Sequence, residues 1–263
     1  MESARNSNRR AVIELIDATI ASRRAPGTVA VEGVDWTVEE EDFWVIGGLL
    51  GSGKSDLLAT AAALTKPTRG TYRLFGQDIS PTYDNECLTE RLRVGLVFGE
   101  GGRLFNQLTI WGNVALPLQY HQATTGAEGE MDERIAALLE TLDLSDHAHH
   151  APSSLGLGWR QRTALARALT LKPEVLLLDN PLAGLDPRHA RWWIDFLFQL
   201  SAGHAVMDGQ TMTIVVAVDD PRPWQQPGNR FALLHETRFT LLNDVQEFNV
   251  LESPAPPHGT DLL

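Results

Sequence analysis

Gly48-Leu49-Leu50-Gly51-Ser52-Gly53-Lys54-Ser55 follows the pattern glycine, four residues, glycine, lysine, then serine or threonine. Glycines at these points let successive backbone N–H groups turn inward around a polyanion, and a helix beginning after Gly53 adds its positive end. Lys54 contributes a mobile charge for the outer phosphates, and Ser55 a hydroxyl for Mg²⁺. The neighbouring Asp56 completes the loop's expected contact set, and ATP with Mg²⁺ is the ligand this chemistry implies. A second motif supports the first. Asp179 ends the apolar run Val175-Leu176-Leu177-Leu178, where a carboxylate reaches a metal shell from the tip of a buried strand.

The elements that must position these groups are legible around them. Val12–Ile16, Val29–Val31 and Phe43–Ile46 are short, β-branched, apolar runs broken by charged or Gly/Pro punctuation, which predicts an opening sheet. Ser55 to Ala63 turns to Leu and Ala, predicting a helix that Lys66-Pro67-Thr68-Arg69-Gly70 closes. Ile135, Leu138, Leu139 and Leu142 recur at helical spacing, and residues 161–171 predict another helix. Glu174–Asp179 and Thr213–Val218 are continuous apolar runs of strand length, as strands buried on both faces of a parallel sheet require. The fold class is therefore α/β. The tail after Glu252 carries three prolines without periodicity and is expected to be disordered.

Composition narrows the function classes. Of 263 residues, 43% are hydrophobic, enough for a substantial core. A formal net charge of −12 disfavours nucleic acid as a partner. Cys87 is the only cysteine, so the chain can form no internal disulfide and no cysteine-based metal site, in keeping with a reducing cytosol. The N-terminus does not read as a signal peptide, and no apolar run approaches the roughly 18 residues a spanning helix needs. His147, His149 and His150 read as solvated side chains beside Ala151-Pro152, so no zinc is assigned. Trp192-Trp193 with Ile194, Phe196 and Leu197 reads as an apolar helical face turned to the core.

Together with Arg160–Leu169, Leu176–Pro181 and Gly184-Leu185-Asp186-Pro187, the loop at 48–55 resembles the ATP-binding subunit of ABC transporters over about residues 11–245. The resemblance implies a P-loop NTPase core with a mainly parallel sheet, an N-terminal antiparallel β section and an inserted helical subdomain. The implied division is a flexible 1–10, a core of 11–98 and 160–249, a helical and signature subdomain of 99–159, and the tail 250–263. It also implies a second ABC subunit, homo- or heterodimeric, with each ATP held between one subunit's phosphate loop and the other's signature segment. Asp186 is expected at that dimer contact. A membrane permease is the further partner, reached from the cytoplasmic face, so that membrane contact comes only through it.

Several positions depart from the family pattern. Asn180 stands where a carboxylate should polarise the attacking water, and an amide is no base. Val218 replaces the histidine expected after the late strand. Gly99 replaces the glutamine that should follow Phe98, and Gln107 comes eight residues too late. The signature segment reads Leu155-Gly156-Leu157-Gly158-Trp159, without its serine and first glycine. No aromatic residue stands between Ala18 and Arg24 to stack on adenine. Retained ground-state binding with slow or absent hydrolysis is the expectation. Two alternatives remain open: an unorthodox but active ATPase in which Glu100 or Asp219 replaces the lost groups, and a regulatory protein that uses this fold without a permease.

Residues 102–118 further resemble the Mla/Mce-type ATPases of bacterial phospholipid movement. Leu104, Phe105, Leu108 and Ile110 are accordingly the expected permease-facing residues, with a lipid or other hydrophobic cargo.

Overall fold

Strands that bury both faces need a covering layer on each side, and the alternation of their side chains decides what each layer meets. The computed structural model describes residues 9–79, 87–99, 101–121, 128–226 and 228–248. The segments expected to be flexible at 1–10 and 250–263 lie outside them except for Arg9 and Arg10, and so does Glu100.

The strands are β1 (Ala11–Ala21), β2 (Val29–Glu39), β3 (Phe43–Gly48), β4 (Arg69–Leu74), β5 (Gln77–Asp78), β6 (Val94–Val97), β7 (Val175–Asp179), β8 (Thr213–Val218), β9 (Arg230–His235) and β10 (Arg238–Leu242). The helices are α1 (Lys54–Ala61), α2 (Leu88–Leu92), α3 (Ile110–His121), α4 (Glu128–Thr141), α5 (Leu157–Leu169) and α6 (Pro187–Ala202). All the described strands join one sheet in the order β5-β4-β1-β2-β10-β9-β3-β8-β7-β6. The half from β9 to β6 is parallel, with β3 between β9 and β8. The other half is antiparallel through β2, β1, β4 and β5, and the β9–β10 hairpin joins the two. The fold is thus the α/β arrangement expected, with the antiparallel section N-terminal.

The period-two alternation of strand side chains sorts the interior into two cores. Phe43 and Val45, Leu176 and Leu178, and Ile214, Val216 and Val218 point to a core shared with α3, α4, α5 and α6. Trp44 and Ile46, Val175 and Leu177, and Val215 and Ala217 point the other way, onto Leu57 and Leu58 of α1 and onto Ile13, Trp36 and Leu74 of the antiparallel section. Ile135, Leu138, Leu139 and Leu142 are all buried in the first of these cores, so the helical spacing seen in the sequence is a packing face. Trp193, Phe196 and Leu197 of α6 are buried there too. Helices α3 and α4 fall within 99–159, whereas α5 starts at Leu157, ahead of the expected boundary.

Candidate functional site

The parallel strands β3, β7 and β8 end side by side, so the residues that follow them converge on one edge of the sheet. This is where an open parallel sheet offers a ligand crevice. The loop from β3 into α1 is tightly enclosed at two glycines. A Cβ on Gly48 would stand 2.6 Å from the Leu234 carbonyl oxygen and 2.6 Å from Ser52 Oγ. Gly53 has φ +98°, and a Cβ there would meet Val31 at 2.8 Å and the Ala30 carbonyl at 3.0 Å. Only glycine fits either place without displacement of backbone. Leu49 and Leu50 turn their side chains outward, 65% and 87% exposed, so what they offer the inside of the loop is backbone.

Lys54 opens α1 and is buried. Its Nζ donates to the carbonyls of Gly48 at 2.5 Å and Leu49 at 2.9 Å, and pairs with Asp219 Oδ1 at 3.0 Å. The Ser55 hydroxyl donates to Asp179 Oδ2 at 2.7 Å, which brings the two candidate metal ligands together. Asn180, at φ 47°, donates its amide N–H to the Ala217 carbonyl at 2.7 Å and its carboxamide to Asp219 Oδ2 at 2.6 Å. A second carboxylate, Asp219 just after β8, therefore lines the site beside Asp179 at the end of β7.

The residues fit a nucleoside phosphate with Mg²⁺. The glycine positions leave no room for side chains, Ser52 Oγ is buried with no partner among the described residues, and the hydroxyl–carboxylate pair supplies oxygen donors of the kind Mg²⁺ takes. Asp56 is placed differently from its neighbours. It accepts from Arg23 Nε at 3.1 Å and from the Arg23 backbone N–H at 3.2 Å, so this carboxylate ties the segment before β2 to α1. That contact spans 33 positions and carries no local sequence signal.

The altered positions have clear surroundings. A Cβ on Gly99 would lie 3.1 Å from the Asp179 carbonyl oxygen and 4.0 Å from its carboxyl carbon, so position 99 borders the candidate metal ligand but brings no amide to it. Val218 continues the inward alternation of β8 and is buried in the helix-packed core. It offers a phosphate nothing.

Gly156 is the N-cap of α5 and makes no side-chain cap bond, as the missing serine requires. Leu155 and Trp159 pack against the core, and the Trp159 ring lies 4.8 Å from that of His147 and 5.7 Å from that of His189. Gly158 faces the His189 ring, which a Cβ would meet at 2.7 Å. Leu157 reaches toward Gly184. Asp186 caps α6 by accepting from the N–H groups of Arg188 at 2.9 Å and His189 at 3.1 Å, and its second oxygen lies 2.6 Å from His189 Nδ1. The bond to the His189 side chain, with those backbone bonds, holds its carboxyl below the usual carboxylate range. Asp186 is therefore committed within its own chain.

Among the expected permease-facing residues, Ile110 needs correction. It is fully buried in the helix-packed core, with its N–H bonded to the His150 carbonyl at 2.9 Å, and so it faces inward. The reason is its place at the start of α3, whose apolar face packs on α5 and α4. Leu104 packs partly against the same core and Leu108 is half-buried, while Phe105 is 50% exposed. Phe105 is held by a residue the sequence reading passed over. Buried Asn113 accepts from the Phe105 N–H at 2.8 Å and donates to the Phe105 carbonyl at 3.0 Å and to that of Thr109 at 3.0 Å. No helix of the described residues is long and apolar enough to cross a membrane.

Comparison with known proteins agrees with this geometry. The profile of the family described as ABC transporter matches residues 31–183. A methionine import ATP-binding protein of Bifidobacterium longum is 32% identical over 228 residues, covering 87% of this chain and 54% of the relative. Another, from Bacillus cereus, is 37% identical over 225 residues, with 86% and 63% covered. The chain thus spans between half and two thirds of the length of these curated relatives. A dimeric, post-hydrolysis ATP-binding cassette bound to ADP and Pi superimposes with a TM-score of 0.75 at 29% identity, covering 86% of this chain and 95% of that one. These relatives are named methionine import ATP-binding proteins and are not of the phospholipid-moving type that residues 102–118 suggested.

Proposed function

Since the chain belongs to the ABC transporter family, we propose that it is a nucleotide-binding subunit that takes up ATP and Mg²⁺ through the loop at 48–55 and hydrolyses ATP slowly or not at all. The observation that carries this reading is the meeting of Lys54, Ser55 and Asp179 at one strand edge, with an amide and not a carboxylate at position 180. Bound ATP supplies a terminal phosphoanhydride whose cleavage releases free energy, and Mg²⁺ would be held by Ser55 and Asp179. The chain's own residues then do the following. Backbone N–H groups of Gly51, Gly53, Lys54 and Ser55 would hold phosphate oxygens, while the Ser52 N–H is bonded to the Leu49 carbonyl, and Lys54 would offset the phosphate charge. Asn180 donates a hydrogen bond where a base is required, and neither Gly99 nor Val218 supplies a group to hold a water molecule. Ground-state binding survives such losses because it needs none of the missing groups.

The partners in this reading are a second ABC subunit and a membrane permease, with the chain peripheral on the inner face of the membrane. The dimeric state of the solved cassette supports the first. The names of the curated relatives support an importer whose cargo is a small amino-acid-like solute, and they lend no support to a lipid cargo.

Calorimetric titration of the full chain with ATP and Mg²⁺, followed by phosphate release on the same sample, tests the reading. Saturable binding that Lys54→Ala abolishes, with turnover well under about 1 s⁻¹, is expected. Absence of binding at millimolar ATP, or turnover above that rate, overturns it.

A further inference from the structure

Resting on that reading of the loop, we infer that the guanidinium of Arg23 is the platform on which the nucleotide base stacks. The direction in which a nucleotide runs through the loop comes first. In loops of this pattern the backbone cradles the α and β phosphates, and the lysine reaches the β and γ phosphates. Asp219 meets Lys54 at 3.0 Å and Asp179 meets Ser55 at 2.7 Å, so the strand tips mark the end of the loop where the outer phosphates lie. The α phosphate, with ribose and base beyond it, leaves toward the other side, where α1 makes its first turn and Asp56 stands.

The segment that borders this turn is the one that follows β1. It is braced by its own bonds: the Ser22 N–H donates to the Thr28 carbonyl at 2.9 Å, the Thr28 N–H donates to that of Ala25 at 3.1 Å, and Ser22 Oγ accepts from the Ala25 N–H at 3.2 Å. No aromatic ring occurs from Ala18 to Arg24, so the planar cations it offers a base are Arg23 and Arg24. Arg24 is exposed, and its guanidinium makes no bond among the described residues. Arg23 is the one held against the nucleotide loop.

Arg23 Nε donates to Asp56 Oδ1 at 3.1 Å, its backbone N–H donates to the same oxygen at 3.2 Å, and Nη2 reaches the Ser55 carbonyl at 3.5 Å. The guanidinium donors point within its plane, so these bonds fix the plane and leave its faces unbonded. The side chain is 29% exposed, enough to present a face while its stem stays covered. Pairing with Asp56 also neutralises its charge. What Arg23 offers a ligand is therefore a flat, weakly hydrated surface that stacks on aromatic rings, rather than a free cation for a phosphate.

The test is calorimetric titration of the full chain, at saturating Mg²⁺, with ATP and with ribose 5-triphosphate, which keeps the sugar and phosphates but has no base. Wild type is compared with Arg23→Ala, Arg23→Lys and Arg23→Tyr, with melting temperatures as the check on folding. Wild type is expected to bind ATP about ten-fold more tightly than ribose 5-triphosphate, and Arg23→Ala to lose about ten-fold for ATP but less than about two-fold for the sugar triphosphate. Lysine keeps the charge without the plane and is expected to match alanine. Tyrosine restores a plane without the charge and is expected to bind ATP within about three-fold of wild type. Equal loss of both ligands in Arg23→Ala overturns the inference, because the guanidinium then serves a phosphate, and so does rescue by lysine instead of tyrosine. Unchanged ATP binding in Arg23→Ala overturns it as well. Should the alanine variant unfold for want of the Asp56 contact, the lysine and tyrosine variants decide between charge and plane. Failure of wild type to bind either ligand overturns the inference together with the reading of the loop.

Discussion

The Ser55 hydroxyl donates to the Asp179 carboxylate at 2.7 Å across 124 positions of chain, tying the phosphate loop to the tip of β7. Both groups are oxygen donors suited to Mg²⁺, and neither alone makes a metal site. Ser55→Ala is therefore expected to weaken nucleotide binding about ten-fold in Mg²⁺ and to leave binding in EDTA nearly unchanged. Parallel titrations with and without the metal decide this, and an equal loss in both conditions would assign Ser55 to the phosphate instead.

Introducing a carboxylate at position 180 tests how much of the proposed slowness of hydrolysis comes from that position. A general base is worth on the order of 10² to 10⁴ in an intact site, but groups that act as a unit are not additive. Gly99 and Val218 still leave the water unheld, and the new carboxylate faces Asp219. Asn180→Glu is expected to raise phosphate release by no more than about ten-fold. A rise of about a thousand-fold would show that the other departures are immaterial.

Asn113 and Phe105 separate packing from docking. Asn113→Ala leaves the Phe105 N–H and carbonyl without their buried partner, a cost of about 1–3 kcal/mol, and the melting temperature should fall by about 5 °C. Phe105→Ser removes a half-exposed ring and should leave the melting temperature within about 2 °C. If that ring docks on the permease, the serine variant loses co-purification with it at unchanged stability.

The Asp186–His189 pair gives a pH dependence with a defined sign. The folded carboxyl is held below its ordinary range, so its contribution is present above the unfolded carboxylate value of about 4 and is lost as pH falls through the depressed folded value. Asp186→Asn keeps a capping side chain but loses the charge. Melting curves of wild type and variant should differ at neutral pH and converge as pH falls below the unfolded carboxylate value of about 4 and on through the lower folded value. A constant difference across that range would rule out the carboxylate's charge as the cause.

Local pattern was enough for much of this protein. Continuous apolar runs marked β7 and β8 because strands buried on both faces leave no polar positions, and the spacing of Ile135, Leu138, Leu139 and Leu142 marked α4 because one helical face meets the core. The glycine loop at 48–55 was legible because a polyanion cradle demands glycine at fixed offsets, and the amide at position 180 was legible because it stands directly after Asp179.

What the tertiary structure alone decided is which distant groups meet. Asp219 neutralises Lys54 because β3 and β8 are neighbours in the sheet, a pairing that no spacing of 165 positions encodes locally. Arg23 takes Asp56, Asn113 grips Phe105, and Ile110 turns inward for the same reason: helix and strand periodicity fix the faces of an element, whereas the packing of elements fixes what each face confronts.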